Sequence, residues 1–160
     1  MLDGCRVILA LAVALGSGVI GGVFFAFSNF VMPALALLPA QWGMVAMQSI
    51  NVTVLNRGFL GVFMGMALLS VVALVSAMLQ WHRDGAVFLF AGSLLYLGGS
   101  FLVTIVFNVP RNETLAAAGP KEESSAALWS EYLAGWTRWN HVRTGASLIA
   151  AFFFCLALLG

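Results

Sequence analysis

The chain has 160 residues, of which 62% are hydrophobic and 8% are charged, and its formal net charge at pH 7 is +1. Soluble domains carry about a quarter of charged residues, so this composition excludes an ordinary soluble protein and indicates one that is dissolved in membrane lipids. The small net charge indicates that the protein has no nucleic-acid partner.

Four stretches are long and apolar enough to cross a membrane, which takes roughly 20 residues of α-helix. They cover about residues 7–31, 58–80, 85–107 and 142–160. Backbone that contacts lipid has to form its hydrogen bonds internally, so helices packed as a bundle are expected. We therefore predict an all-α integral membrane protein in which residues 1–160 form a single four-helix transmembrane domain.

The connections between spans 1 and 2 and between spans 3 and 4 are long enough to hold short helices of their own. Pro39 and Pro110 can begin helices, because proline costs little in a first turn. The spacing of polar and apolar residues predicts short amphipathic helices at the membrane interface over about residues 39–56, 110–118 and 126–141. Four spans place both termini on one face of the membrane, so both long connections are expected to lie together on the opposite face.

Small residues indicate how the spans pack. Gly18–Gly22 and Gly61–Gly65 are GxxxG spacings, and Gly92, Gly98 and Gly99 form notches in the third span. Such notches let helix backbones approach closely and gain dispersion contacts. The same faces are suited to the formation of a homo-oligomer.

Polar residues concentrate in the second long connection and at the start of the fourth span. Polar groups at membrane depth are costly and usually functional. His141 carries the only nearby side chain with an ordinary pKa near neutrality, which makes it the natural general base. Glu131 could serve instead if burial raises its pKa. Arg143 and Asn140 supply donors that can hold an oxygen on which negative charge develops.

Amides and aromatic rings of the same region could bind a ligand. Asn108 and Asn112 supply further hydrogen-bond donors. A flat aromatic ligand could be sandwiched by Trp129, Tyr132, Trp136 and Trp139. Both features also have a purely structural explanation, because tryptophan and tyrosine gather at membrane interfaces and a polar network can simply fasten the connections together. The sequence leaves both explanations open.

No metal site is predicted from the sequence. The only two histidines, His82 and His141, are expected on opposite faces of the membrane, and no ligand spacing of a recognisable kind is present. A nucleophile elbow and the glycine-rich phosphate-binding motifs are also missing. Proton transfer and hydrogen bonding are therefore the chemistry that the sequence offers.

Four segments of the chain share a pattern with a known family. They are Phe24–Leu35, Met47–Thr53, Phe107–Asn112 and Trp136–Thr144. They resemble the anthrone oxygenase-like family of small four-span membrane proteins, and the match covers nearly the whole chain. The resemblance implies a four-helix membrane fold and, as in fungal members, oxidation of anthrones to anthraquinones by O2 without a cofactor. The compact chain looks like the bacterial-type members, so we expect a multi-pass protein of the bacterial inner membrane.

Anthrone oxidation would require a base, donors for the oxygen that gains charge, and an apolar cavity in which O2 dissolves. On this hypothesis His141 takes the proton, and Arg143 and Asn140 hold the enolate oxygen. The expected substrate-binding residues are Asn51, Asn108, Asn112, Trp136, Trp129, Tyr132, Phe27, Met47 and Glu131. The expected partners are a lipophilic aromatic small molecule and O2, with no resident cofactor and no metal.

Functions of another class stay open at the level of the sequence. One alternative is a non-catalytic carrier or binding protein of the membrane. Another is an accessory protein whose polar network is only structural. Transport of ions or polar solutes is disfavoured, because the middle of each span contains no charged residue and only a few hydroxyl groups.

Overall fold

The computed structural model describes residues 2–119 and 125–160, and every regular element in these ranges is helical. The α-helices are α1 (Leu2–Ala26), α2 (Met32–Ala36), α3 (Ala40–Thr53), α4 (Arg57–Leu79), α5 (Ala86–Leu94), α6 (Val109–Ala117) and α7 (Ser125–Leu156). Wider π-helical turns occur at Phe27–Val31, Leu95–Leu102 and Thr104–Asn108. These turns join α-helices end to end, so that residues 2–36 form one long helix and residues 86–117 form another.

The prediction of an all-α protein is confirmed. Three helices are long and apolar enough to cross a membrane, namely Gly4–Ala36, Arg57–Leu79 and Ala86–Ala117. Helix α7 has 32 residues but is less apolar, because Asn140, His141 and Arg143 lie near its middle. Composition alone therefore does not establish a fourth span at residues 142–160.

Helix boundaries differ from the sequence-based ones in three places. The predicted span 85–107 and the predicted interfacial helix 110–118 belong to one helix over residues 86–117. The first long helix does not end at residue 31 but continues to Ala36, and Pro33 lies in the first turn of α2, directly after the wider π-helical turn Phe27–Val31. The segments 126–141 and 142–160 belong to one uninterrupted helix, α7, which ends at Leu156.

Two apolar clusters form the core, and α7 takes part in both. The first contains Ala150 and Phe154 of α7 together with residues of α1, α4 and the helix over residues 86–117. The second contains Trp129, Tyr132 and Trp136 of α7 together with residues of α2, α3 and α6. Helix α7 packs most extensively against α1. The polar residues near the middle of α7 consequently lie between the two clusters.

The closest contacts between helices involve glycines outside the GxxxG pairs. A Cβ atom added at Gly99 would lie 2.5 Å from the Cβ of Ala146, and one added at Gly92 would lie 2.8 Å from the ring of Phe154. Nothing lies within 4 Å of a Cβ atom added at the four glycines of the GxxxG pairs, Gly18, Gly22, Gly61 and Gly65. The prediction that these pairs pack the spans together within the chain is therefore wrong.

We expect Gly99→Ala to destabilise the fold, because the Cβ of Ala146 is fixed to its backbone and cannot rotate away. Overpacking of this kind costs about 1–3 kcal/mol. The neighbouring Gly98→Ala is the matched control, since a Cβ atom there meets nothing within 4 Å. Thermal unfolding in detergent, followed by circular dichroism, measures both variants. Equal melting temperatures would contradict the packing described here.

Candidate functional site

A cavity of about 290 Å³ lies where α3 and α6 meet the long helices. Residues of the first long helix, α3, α4, the helix over residues 86–117 and α7 contribute to its wall. Most of the wall is apolar. The polar side chains on it are those of Asn51, Thr104, Asn112, Trp136 and Arg143. The volume is close to the lower end of the range of ligand-binding pockets, roughly 300–1,000 Å³.

Arg143 is the charged residue on this wall, and its side chain is only 5% exposed. Its Nη2 atom donates to Oδ1 of Asn140 over 2.6 Å, and its Nη1 atom donates to Oγ1 of Thr104 over 3.3 Å. The guanidinium carbon lies 4.2 Å from the ring centre of Phe24 and 5.0 Å from that of Trp136. Neither hydrogen bond goes to a carboxylate, and Nε has no partner in the part of the chain that the structure describes.

Asn140 holds Arg143 in place and connects α7 with the first long helix. Its amide group donates to the backbone carbonyl of Phe24 and to the hydroxyl of Ser28, both over 2.7 Å. Its carbonyl oxygen accepts the hydrogen bond from Arg143. Both N–H groups and the carbonyl oxygen of this fully buried amide thus have partners within the protein, so Asn140 orients the guanidinium and does not itself line the cavity.

Hydrogen bonds among Asn51, Tyr132 and Asn112 link the short helices to α7. The hydroxyl of Tyr132 donates to Oδ1 of Asn112 over 2.9 Å and accepts from Nδ2 of Asn51 over 3.4 Å. Burial raises the pKa of Tyr132, so the hydroxyl stays protonated and can donate. Asn51 and Asn112 line the cavity, and this arrangement fixes the orientation of their amide groups.

Gln48 fastens α3 to the end of α6. Its amide nitrogen donates to the carbonyl of Leu115 over 2.7 Å and to that of Ala118 over 3.1 Å. The last carbonyls of a helix have no partner within the helix, so a side chain that binds them stabilises the helix end. Because α3 also carries Met47 and Asn51, this clamp positions one wall of the cavity.

The π-helical turns also shape the cavity. Phe27, Phe101 and Thr104 each lie in a different one of these turns, and all three line the wall. Such turns occur frequently at functional sites, because they change the direction in which side chains leave a helix. The irregular turns therefore support the assignment of the cavity as the functional site.

Comparison with known proteins gives the family. The family model described as anthrone oxygenase matches residues 52–153, which is more than half of the chain. The chain belongs to the anthrone oxygenase family. No curated protein and no solved structure matches it.

In this member of the anthrone oxygenase family, six of the residues predicted from the sequence line one cavity. They are Phe27, Met47, Asn51, Asn112, Trp136 and Arg143. Asn140 lies behind Arg143, and Tyr132 lies behind the amides of Asn51 and Asn112. The structure thus brings together eight predicted residues from distant parts of the sequence.

His141 is not among them, and its assignment as the base at this site has to be corrected. Successive residues of an α-helix are about 100° apart, so a residue between the inward-facing Asn140 and Arg143 points outward. His141 is exposed and borders a shallow outer groove with Arg138 and Pro33. The wall of the cavity contains no histidine and no carboxylate among the described residues.

Three further candidates lie outside the cavity. Glu131 is exposed and borders a separate surface groove, so its roles as a base and as a substrate ligand are corrected too. Trp129 is buried against Gly43, where an added Cβ atom would lie 2.7 Å from the indole. Asn108 is buried and donates to the carbonyl of Trp136 over 3.2 Å. The last two are structural residues that support the wall.

Three hydroxyl groups belong to the site although they were not among the site residues predicted from the sequence. Ser28, Thr104 and Thr144 all belong to the network around Asn140 and Arg143. Each lies in an apolar segment, where a single hydroxyl also occurs without any function. A signal was available for Thr144, which lies one helical turn after Asn140. Within residues 2–119 and 125–160, no group of His, Cys, Asp and Glu residues could hold a metal ion.

We expect Gln48→Ala to lower the stability of the protein, because the carbonyls of Leu115 and Ala118 lose the side-chain donor that ties them to α3. The loss of such hydrogen bonds costs about 1–2 kcal/mol. Gln41→Ala is the matched control, since Gln41 is exposed and lies two helical turns earlier on the same helix. Chemical unfolding in detergent measures both changes. A loss of equal size in the two variants would contradict the clamp.

Proposed function

We propose that this protein is a membrane-embedded oxygenase that uses O2 to oxidise a lipophilic anthrone or a related phenolic aromatic. One observation carries the proposal: Arg143 is buried on the wall of an apolar cavity, and its hydrogen bonds within the described residues go to neutral groups. A buried charge without a counter-charge is costly. A ligand that develops negative charge on an oxygen atom would supply the missing partner.

The reaction balances with O2 as the oxidant. Loss of a proton from the methylene carbon of an anthrone to water leaves an aromatic enolate, whose charge lies largely on the oxygen. The enolate carbon then forms a bond with O2, and uptake of a proton gives a hydroperoxide. Cleavage of the O–O bond with loss of the second methylene hydrogen releases water and leaves the quinone. The sum is anthrone plus O2 to anthraquinone plus water.

The residues of the cavity are suited to the first of these steps. Arg143 would bind the enolate oxygen, and the amides of Asn51 and Asn112 would donate to other oxygens of the substrate. Donors that are oriented before the reaction and aimed at a developing oxyanion are among the strongest contributions to catalysis. Because these donors stabilise the enolate, they also make the loss of the substrate proton to water more favourable. Family membership supports oxygenase-type chemistry.

The same proposal includes the membrane arrangement. We propose that α7 supplies a fourth span from about residue 142, so that residues 1–160 form one four-helix transmembrane domain of the bacterial inner membrane. The exposed face of α7 supports this, since it is formed there by Val142, Leu148, Ile149 and Phe152. Helices α3 and α6 and the first part of α7 would then lie at the membrane surface.

A binding or carrier role without turnover is the second candidate. The specific observation in its favour is that the cavity wall has no histidine and no carboxylate among the described residues. In that case a purified sample would bind an anthraquinone but would consume no O2 when anthrone is added. Oxygen-electrode measurements on the reconstituted protein separate the two candidates.

We expect Arg143→Gln to lower the rate of anthrone oxidation by about 10²–10³-fold, as for removal of an oxyanion donor. Arg138→Gln is the control, because Arg138 is exposed on the same helix and lies outside the cavity. O2 uptake and anthraquinone absorbance in reconstituted vesicles measure the rate, and circular dichroism checks that each variant is folded. A folded Arg143→Gln protein with the parent rate would refute the role of the guanidinium.

We expect His141→Ala to oxidise anthrone at the parent rate, because the imidazole points away from the cavity. A general base typically contributes about 10²–10⁴-fold, so the assay distinguishes the two cases clearly. A loss of that size in a correctly folded His141→Ala protein would mean that the exposed histidine takes part in proton transfer after all.

A further inference from the structure

The cavity has an opening on its side, between α4 and the helix over residues 86–117. Helix α4 packs closely against α5 and Leu95–Leu102 but makes no comparable contact with Thr104–Asn108 or α6, all of which are described. Met64 of α4 and Ile105 opposite both line the cavity, although they are 53% and 48% exposed. Residues that are exposed and also line a cavity mark its opening. We call this opening the lateral slot, with the rim Leu55, Leu60, Met64, Ile105 and Val109, of which Leu55 lies just before α4.

The position of the lateral slot makes it face lipid. Leu60 and Met64 lie three and seven residues after the start of α4, which places them roughly 5–10 Å along the helix axis. Ile105 and Val109 belong to the opposite helix, Ala86–Ala117. Both helices are long and apolar enough to cross a membrane. An opening at this depth between two such helices meets hydrocarbon, where charged and strongly polar molecules are not found.

The side chains at the rim of the lateral slot differ in polarity from those of the cavity behind it. The rim consists of aliphatic side chains and a methionine, whose flexible thioether adapts to different shapes. The donors of Asn51, Asn112 and Arg143 line the cavity behind it. A molecule that arrives from the membrane therefore meets apolar groups first and hydrogen-bond donors last.

We propose that ligands reach the cavity sideways from the bilayer through the lateral slot. The ligand is a lipid-dissolved molecule with a flat apolar body and an acceptor oxygen at one end. The body passes the aliphatic rim, and the oxygen meets the donors of Arg143 and Asn112. Only the identity of the ligand rests on the proposed function, because the slot is defined by packing and exposure.

The test follows access to a thiol placed inside the cavity. The two native cysteines are exposed and are first replaced in the double variant Cys5→Ser and Cys155→Ser. Met47→Cys is then introduced, since Met47 is 1% exposed and lines the cavity. The protein in phosphatidylcholine vesicles is treated with lipid-soluble N-phenylmaleimide or with a membrane-impermeant sulfonated methanethiosulfonate. Mass spectrometry gives the rate of labelling.

Tryptophans at the rim should obstruct the slot. Met64→Trp and Ile105→Trp are expected to slow labelling of the inner thiol by N-phenylmaleimide by at least about tenfold, because a bulky ring has to be displaced. The controls are Leu68→Trp and Val106→Trp, which place the same side chain on the same two helices at exposed positions away from the cavity. The controls should label at the parent rate, and the sulfonated reagent should label none of the proteins appreciably.

Three results would refute entry through the lateral slot. They are equal labelling rates in rim and control variants, labelling by the sulfonated reagent as fast as by N-phenylmaleimide, and no labelling in the parent background. If Met47→Cys does not fold, Val23→Cys supplies a second thiol on the cavity wall. If rim tryptophans slow the labelling but the protein takes up no O2 when anthrone is added, the lateral slot is supported and the proposed function is refuted. Anthrone oxidation together with equal labelling rates in rim and control variants would refute the lateral slot and support the proposed function.

Discussion

The hydrogen bond between Arg143 and Asn140 is the interaction on which the site depends. A guanidinium in an apolar bundle has no water to solvate it, so the protein has to supply oxygen atoms. Asn140 supplies one, and its amide group is itself held by Phe24 and Ser28 of the first long helix. The same contacts that orient the cation thus fix α7 against α1. Packing and binding chemistry share one set of bonds, and a change that loosens one will loosen the other.

The proposed reaction suits a site of this kind because most of the reactivity lies in the substrate. The enolate of an anthrone is electron-rich enough to react with O2, and O2 dissolves well in apolar surroundings. The protein then has to hold the charged form of the substrate with donors that are oriented in advance. An apolar cavity with one cation and two oriented amides meets these requirements, and the sideways opening gives access to compounds that are concentrated in lipid.

Much of this could be predicted from the sequence, because strong physical signals carry it. Long apolar runs predict the helices, and polar residues at membrane depth single out Asn140 and Arg143. The prediction of His141 as the base is wrong, because the helical repeat turns the residue after Asn140 away from the cavity. Of the predicted packing glycines, Gly92 and Gly99 are confirmed and the GxxxG pairs are not. The lateral slot depends on how the helices diverge, which no local pattern records.

The π-helical turns were also invisible in the sequence, since a change of hydrogen-bond register in an apolar run has no compositional signature. Each such turn holds one residue more than the α-helical ladder requires. Because the wider turn absorbs this residue, the two halves of the helix keep nearly the relative orientation that a regular helix one residue shorter would give them. Deleting a single residue within Leu95–Leu102 would therefore leave Thr104 near Arg143 and Ile105 near the rim, and would remove only the local widening of the helix beside the cavity. The surplus residue thus acts on the shape of the wall and not on the rotational phase of the segments that flank it.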